Sequence, residues 1–208
     1  MVQEVFVRIA GLWRAVHLLL NIWTTRTSAL AWRELLAAVA PGNGLLYIVG
    51  GSIGVGQTAV PNNDEYNPTT NTWAERVFLP GARRGLAAAA PGNGLLYAVG
   101  GADSLTFAHN FEYNPATNTW TTRAAMPTAR ENHAAAAPGN GLLYAVGGDN
   151  GNAIAINEEY NPATNTWATR AAMPTARRRL AGAAVGRRMY FICGRDSFGT
   201  SSANQEYS

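Results

Sequence analysis

Residues 94–101 read GLLYAVGG, residues 141–148 repeat the same eight letters, and residues 44–51 differ from them only by reading GLLYIVGG. A fourth, degenerate copy reads RMYFICG at residues 188–194. The glycine pairs of the first three copies recur at intervals of 50 and 47 residues. A fixed period of this size is typical of supersecondary units that stack on one another. The sequence therefore predicts a repeat architecture.

A second phrase follows the same period. Residues 65–73 read EYNPTTNTW, and residues 112–120 and 159–167 both read EYNPATNTW. Each unit thus has an apolar segment closed by Gly-Gly, a variable loop, a Glu-Tyr segment, a turn and a Trp segment. This combination resembles the kelch motif over about residues 30–208. The resemblance implies an all-β fold, a β-propeller of kelch-type four-stranded antiparallel blades, with about four blades in this chain.

The unit at residues 128–174 shows how one blade is expected to form. Four strands are predicted at 130–137, 142–146, from 159 and at 166–170. Asn140-Gly141 is expected to supply the positive φ angles of the first reversal, and Gly147-Gly148 to allow close backbone approach. A structural role is predicted for the repeated glycines and aromatic residues, which are Gly50, Gly51, Gly100, Gly101, Gly147, Gly148, Tyr66, Tyr113, Tyr160, Trp73, Trp120 and Trp167.

The predicted domain organisation is an N-terminal segment of residues 1–20 followed by a propeller of residues 21–208. Blades are expected at about 30–80, 81–127, 128–174 and 175–208. The last unit has no outer strand, whereas residues 21–26, NIWTTR, match the outer strand NTWTTR at 118–123. Residues 21–26 are thus a candidate closing outer strand. A closed four-bladed ring and a fragment of a longer array both fit, since the resemblance implies six or seven blades. In a fragment, open blade edges would cause self-association.

The N-terminal segment is predicted to form an amphipathic helix. Apolar residues recur there every three to four positions, at Phe6, Ile9, Leu12, Trp13, Val16, Leu20 and Trp23. Polar residues fall mostly opposite, at Arg8, Arg14, His17 and Asn21. Arg14 and His17 interrupt the apolar run that a secretory signal needs, and no apolar stretch is long enough for a membrane span.

Composition excludes several classes of partner and site. The 208 residues carry a net charge of +3, and all 16 basic residues are arginine. This charge is too small and dispersed for a nucleic-acid partner. The single cysteine excludes an internal disulfide and a cysteine-based zinc site, and no metal or cofactor is predicted. Nothing in the sequence identifies the compartment, so cytoplasmic and extracellular locations of a soluble chain both stay open.

Strand order places the loops after Gly-Gly on one face and the PGNG and NPATNT turns on the other. The turns are almost identical between repeats, while the loops diverge, which is how a repeat scaffold presents a binding surface. Candidate ligand-binding residues on the divergent face are Asp103, His109, Asn110, Asp149, Asn150, Asn152, Arg195 and Asp196.

Four arginines recur at one register of the inner strand, at Arg33, Arg83, Arg130 and Arg177. Such channel arginines could hold an anion, or could form a structural belt that caps strand ends or pairs with carboxylates of the next blade.

The predicted function is a non-catalytic binding scaffold for a protein or a glycan. The resemblance also leaves a kelch-type carbohydrate-active enzyme open, an oxidase or one similar to sialic acid epimerases. The copper oxidases need two tyrosines, two histidines and a cysteine, and His17, His109 and His133 show no ligand spacing. Cys193 replaces the first glycine of a pair, and no acid and base can be paired for epimerisation. A partial propeller without independent function is the third alternative.

Overall fold

The fold of the repeats is a four-blade arrangement of antiparallel β-sheets, as predicted. The structure is a computed structural model that describes residues 2–9, 12–19 and 23–208, with only the backbone for the first two ranges. Each of the first three blades has four strands paired in chain order. Their bounds are Ala37–Val39, Leu46–Val49, Asn63–Asn67 and Thr72–Glu75; Ala87–Ala89, Leu96–Val99, Asn110–Asn114 and Thr119–Arg123; Ala134–Ala136, Leu143–Val146, Asn157–Asn161 and Thr166–Arg170.

The fourth blade has three strands, Ala181–Val185, Arg188–Ile192 and Asn204–Tyr207. Two short ribbons lie within the loops of the first and fourth blades, Ser52–Ile53 with Thr58–Ala59 and Arg195–Asp196 with Gly199–Thr200.

The core lies between blades. One buried cluster joins the first blade to the second, a second cluster joins the second to the third, and a third cluster joins the third to the fourth. Tyrosines pack across these junctions, with ring centroids 5.7 Å apart for Tyr47 and Tyr113 and 5.6 Å apart for Tyr97 and Tyr160. Large rigid aromatic area stabilises such sheet stacking.

The first and fourth blades, at the two ends of the series, have inner-strand residues that are more exposed to solvent than those of the middle blades. Ala38 in the first blade is exposed, whereas its equivalents Ala88 and Ala135 are half-buried. In the fourth blade, Ala181 and Ala183 are exposed. The buried clusters of the described residues thus form three junctions in series, and the blades form an open arc.

Backbone hydrogen bonds connect the inner strands around the centre of the arc. The Gly85 N–H donates to the Leu35 carbonyl at 2.9 Å, Asn132 N–H to Gly85 at 2.7 Å, and Arg179 N–H to Asn132 at 2.7 Å. All four of these residues have φ between 54° and 60°. A residue in the left-handed conformation therefore lies two positions before each inner strand, and only the second blade has glycine there.

The glycine pairs lie where one blade meets the next. A Cβ on Gly100 would lie 2.5 Å from the Arg130 carbonyl oxygen of the next blade. The Gly101 N–H donates to that same carbonyl at 2.9 Å. The pair is therefore required by close approach of a neighbouring backbone. Cys193 takes the first glycine's position in the fourth blade, with φ 58° and an exposed side chain.

The reversal before the second strand differs in detail from the prediction. In the third blade, the positive φ angles belong to Gly139 and Gly141, at 74° and 81°, and not to Asn140. The Asn140 side chain instead accepts the Leu142 N–H at 3.1 Å. Asparagine is used here for its side-chain hydrogen bond to the local backbone.

The predicted N-terminal helix is wrong. Val2–Ile9 and Leu12–Leu19 form an antiparallel pair, with Val5 opposite Val16. The segment is rich in Val, Ile, Phe and Trp, which favour strands, and this propensity outweighs the three-to-four-residue spacing of its apolar positions. Leu20 and Asn21 lie outside the described residues.

The described part of the candidate closing strand, Trp23–Arg26, does not pair with the fourth blade. Residues 21 and 22 lie outside the described residues, and Trp23–Arg26 form no strand, with Trp23 fully exposed. Thr27 is bound to the first blade instead: its N–H donates to Asn71 Oδ1 at 3.0 Å, and its carbonyl accepts from Trp73 Nε1 at 3.0 Å. The described part of this segment therefore belongs with the first blade.

Candidate functional site

The divergent loops lie together on one face of the arc, which we call the variable-loop face. It comprises residues 52–64, 102–111, 149–158 and 195–205. Each loop begins with a backbone bridge to the start of its own blade's inner strand, as between Glu131 and Asp149 and between Arg178 and Arg195. The loops therefore start from positions fixed by the blades.

Four of the predicted residues lie at the junction between the third and fourth blades. Asp149 accepts the Gly151 N–H at 2.8 Å and forms an ion pair with Arg178 of the fourth blade. Asn152 and Asp196 line a cleft of about 390 Å³ together with Arg178 and Ser197. Arg195 is exposed beside it, with its backbone paired to Arg178. The structure thus brings Asp149, Asn152, Arg195 and Asp196 together.

Asn150 is exposed in the same loop, where its N–H donates to the Asn152 carbonyl at 3.3 Å.

The predicted residues of the second blade have separate surroundings. The Asp103 carboxylate accepts from Ser104 Oγ at 2.8 Å, and this bond lowers the pKa of Asp103. The His109 ring stacks on Phe111 at 5.4 Å, and partial burial followed by the nearby Arg83 charge lowers the pKa of His109. Asn110 is fully buried in the third strand and donates to the Ala124 carbonyl at 3.4 Å. Asn110 is therefore not available at the surface of this face.

Sequence reasoning missed the apolar tips of three of the four loops. Val55 is fully exposed, Leu105 is 71% exposed and Phe198 is 98% exposed. Each is a single large apolar residue flanked by glycine, serine or threonine. That pattern was the available signal, since solvated turns are normally polar. Trp32, 77% exposed, lies beside Val55 and lines a cleft of about 410 Å³ with it.

The four channel arginines point into their own blades. Arg130 donates to the Gly147 carbonyl at 3.1 Å and to the Glu158 carboxylate at 2.6 Å, and both side chains are buried. Arg33 pairs with Asp64 in the same way. Burial lowers the pKa of Arg33, Arg130 and Arg177. These arginines cap the end of the second strand and pair within the blade, and not with the next blade.

The second and fourth blades keep the arginine but change its partner. Arg83 lies over the rings of Phe107 and Phe111, at 5.0 and 4.7 Å from the centroids, and burial lowers its pKa to about 10. Arg177 donates to Gln205 Oε1 at 2.7 Å. From the first blade to the fourth, the third strand thus presents to the arginine a carboxylate, an aromatic ring, a carboxylate and an amide.

The inner strands surround a central cavity of about 280 Å³. Leu36, Leu86 and Leu180 line it at one register, and His133 takes that position in the third blade. The imidazole is buried, and neither ring nitrogen has a hydrogen-bond partner among the described residues. Burial, followed by the Arg130 charge, lowers the pKa of His133 to about 3. His133 is therefore a neutral imidazole buried against Gly100 of the second blade, with no hydrogen-bond partner among the described residues.

The opposite face, which carries the PGNG and NPATNT turns and which we call the repeat face, presents one arrangement three times. In the second blade, Tyr97 Oη donates to Glu112 at 2.6 Å, and Arg123 Nη2 donates to the same carboxylate at 2.7 Å. The first blade repeats this contact with Tyr47, Glu65 and Arg76, and the third blade has Glu159 with Arg170. Burial raises the pKa of Tyr144, the tyrosine of the third blade, to about 12. These groups satisfy one another, so this face is uniform and internally paired.

Tryptophans of the outer strands fix each blade to the exit of the preceding one. Trp120 Nε1 donates to the Val77 carbonyl at 2.9 Å, while the Val77 N–H donates to Asn118 Oδ1 at 3.0 Å. Trp167 and Asn165 bind Ala124 in the same manner, at 2.7 and 2.8 Å. Within each blade the Trp ring also packs on the Tyr of the third strand, as Trp120 does on Tyr113 at 4.9 Å.

The described residues contain neither a metal-binding cluster nor a helix that could cross a membrane. No group of three or more His, Cys, Asp or Glu side chains in that part of the chain is arranged to hold a metal ion. Within the same residues, no helix has the length and apolar character needed to cross a bilayer.

Comparisons with known proteins agree with this architecture. The family model described as "Kelch motif" matches residues 35–75, 83–127 and 132–174, more than half of the chain. Among solved structures, YjhT superposes with a TM-score of 0.70 at 17% identity, over 88% of this chain and 67% of the YjhT chain. At that identity the likeness shows the fold alone. A search of curated proteins found no significant match.

Proposed function

This chain belongs to the kelch-repeat family, and from that premise we propose that it is a non-catalytic scaffold that binds a protein through its variable-loop face. The observation that carries the proposal is that large apolar side chains are exposed on three of the four loops and beside one of them, at Val55, Leu105, Phe198 and Trp32. Exposing large apolar side chains to water is unfavourable, and their grouping on one face of a protein is typical of protein interfaces.

The chemistry of this face fits a protein partner. Trp32 offers the large, rigid apolar area that often dominates binding energy at interfaces. The Asp149–Arg178 ion pair and the exposed Asn150 and Asn152 supply a polar rim near the fourth blade. Apolar anchors within a polar surround are the usual anatomy of a non-obligate interface. Because the blades fix where each loop begins, little ordering of the scaffold is needed on binding.

The test is affinity capture with three forms of the full chain. One variant replaces the loop tips (Val55→Ser, Leu105→Ser, Phe198→Ser), and the control replaces Val185, which is 68% exposed on the repeat face (Val185→Ser). We expect partners held by the wild type and by the control to be lost from the loop-tip variant. Equal capture by both variants would contradict binding through the variable-loop face.

A glycan ligand is the second candidate, and the polar cleft between the third and fourth blades favours it. Asn152, Arg178, Asp196 and Ser197 offer both donors and acceptors there. A saccharide that raises the melting temperature of the wild type, but not of Asp196→Ala, would support this ligand. Turnover of that saccharide would support the kelch-type carbohydrate-active enzyme instead.

A further inference from the structure

The Glu131 side chain is half-buried near the centre of the arc and has no charged partner. Its backbone pairs with that of Asp149, and the two N–H groups donate across this bridge at 3.0 and 2.8 Å. Residues directly opposite each other in an antiparallel pair are neighbours on one side of the sheet, and like charges there repel. Arg178 neutralises Asp149, but no described residue forms an ion pair with Glu131. The described part of the fold therefore leaves the Glu131 charge uncompensated.

The second and fourth blades have arginine at this position, and both arginines are bound. Arg84, the equivalent of Glu131 in the second blade, donates from Nη1 to two loop carbonyls at 3.2 and 3.1 Å. Arg178, the equivalent in the fourth blade, forms the ion pair with Asp149. Glu131 differs from both, because its charged group is not engaged by the described part of any loop.

Gly85 leaves room for the Glu131 carboxylate and for a second acceptor. A Cβ on Gly85 would lie 3.1 Å from Glu131 Oε2 and 3.0 Å from Asn132 Oδ1. Both oxygens therefore lie close to the same point beside Gly85. Carboxylate and amide oxygens accept hydrogen bonds, and the carboxylate also carries a negative charge. This point therefore suits a hydrogen-bond donor with a positive charge.

The wall of the central cavity beside these oxygens is largely apolar. Gly85 and Asn132 line this cavity of about 280 Å³, and Leu36, Leu86 and Leu180 line it as well. Lysine and arginine bury their aliphatic stems along apolar surface while the charged head stays at polar groups. An apolar wall with acceptor oxygens at its rim therefore matches a positively charged head on an apolar stem.

Most basic groups near the cavity would not oppose such a ligand. His133 is neutral at pH 7, because burial lowers its pKa to about 3. Arg130 is buried and is paired with Glu158. Arg179 also lines the cavity, with an exposed side chain that forms no ion pair with Glu131. Arg179 is therefore the lining residue that should weaken the binding of a cation.

We propose that the central cavity binds an alkylammonium or guanidinium group, with its charged head on Glu131 and Asn132 and its apolar stem on the leucines of the wall. A lysine or arginine side chain of a protein and a free alkyl amine share this chemistry. The site lies at the centre of the arc and not at the loop tips. It therefore does not depend on the protein binding proposed for the variable-loop face.

Nuclear magnetic resonance titration of the full chain with small probes tests the proposal, and the amide shifts of Gly85 and Asn132 are the readout. One probe is lysine capped at both α-groups, and its matched control is norleucine capped in the same way, which keeps the apolar stem without the charge. We expect saturable shifts with capped lysine and an affinity lower by about tenfold or more with capped norleucine. Butylamine separates the two sources of the ligand. Weaker binding of butylamine than of capped lysine indicates a protein side chain, and equal binding indicates a free amine.

Three variants test the assigned residues. Glu131→Gln keeps the shape of the side chain and removes its charge, so capped lysine should bind about tenfold or more weakly. The same change removes a like-charge contact with Asp149, so the variant should unfold at or above the wild-type denaturant concentration. Arg179→Ala should bind capped lysine more tightly. Glu75→Gln, an exposed change of the same kind on an outer strand, is the matched control and should bind as the wild type does.

Three outcomes would overturn the proposal. Unchanged amide shifts of Gly85 and Asn132 with every amine probe show that the cavity binds no such group. Equal affinity for capped norleucine shows that the charge is not recognised. Undiminished binding of capped lysine by Glu131→Gln shows that the carboxylate does not hold the head. None of these outcomes bears on the loop-tip capture experiment, so the two proposals fail separately.

Discussion

The buried imidazole of His133 has no hydrogen-bond partner among the described residues, and it lies where the other blades have Leu36, Leu86 and Leu180. A buried polar group without a partner costs about 1–3 kcal/mol. We therefore expect His133→Leu to raise the free energy of unfolding by about that amount at pH 7. Chemical denaturation of both proteins measures the difference, and an unchanged or lower value would contradict the assignment.

The same residue predicts a dependence of stability on pH. The folded pKa of His133 is about 3, whereas an unfolded histidine titrates at about 6.5. The unfolded chain therefore binds more protons between these values, and stability falls as pH falls from about 6.5 toward 3, by up to about 1.4 kcal/mol per pH unit. Unfolding at pH 7 and pH 5 should show a smaller decrease for His133→Leu than for the wild type. Equal decreases would mean that His133 is not buried as a neutral group.

Alanine substitutions at Gly147 and Gly139 distinguish the cost of a steric clash with the next blade from the cost of the backbone conformation. Both glycines have positive φ and lie in the same blade. A Cβ on Gly147 meets the Arg177 carbonyl at 2.7 Å, while a Cβ on Gly139 meets nothing within 4 Å. Gly139→Ala should cost only the conformational strain, about 1–2 kcal/mol. Gly147→Ala should cost clearly more, because the next blade must also shift. Similar melting temperatures for the two variants would contradict the proposed blade contact.

At the scale of the blade element, a buried arginine side chain lies four residues before each inner strand, and the third strand supplies its partner. Removing the carboxylate in Glu158→Ala leaves the Arg130 charge buried and unpaired, which we expect to cost about 3–5 kcal/mol. Glu158→Gln is the matched comparison, because the fourth blade itself pairs Arg177 with Gln205. Glu158→Gln should lose less stability than Glu158→Ala, since the amide oxygen still accepts a hydrogen bond from Arg130. If both variants unfold at the wild-type denaturant concentration, the pair does not stabilise the blade.

At the scale of the whole molecule, the features that could be predicted from the sequence are those that each repeat encodes locally. The Gly-Gly pair, the Tyr and the Trp each recur at a fixed place, so the strands and the three inter-blade junctions follow from a single repeat. The N-terminal strands could not be predicted, because their apolar spacing fitted a helix while their composition favoured strands.

The candidate site could be predicted only in part, because some of its contacts depend on how the blades stack. Loop divergence identified the face, and Asp149, Asn152, Arg195 and Asp196 do lie together there. The Asp149–Arg178 pair joins residues 29 positions apart and depends on how two blades stack. Asn110 was assigned to a loop, although it is the first residue of the strand Asn110–Asn114 and is buried.

The most direct test of the account is amide hydrogen exchange of the chain with and without a captured protein partner. Binding through the variable-loop face predicts protection in residues 52–64, 102–111, 149–158 and 195–205, with exchange in the PGNG and NPATNT turns unchanged. Protection confined to those turns would place the interface on the repeat face and contradict the account.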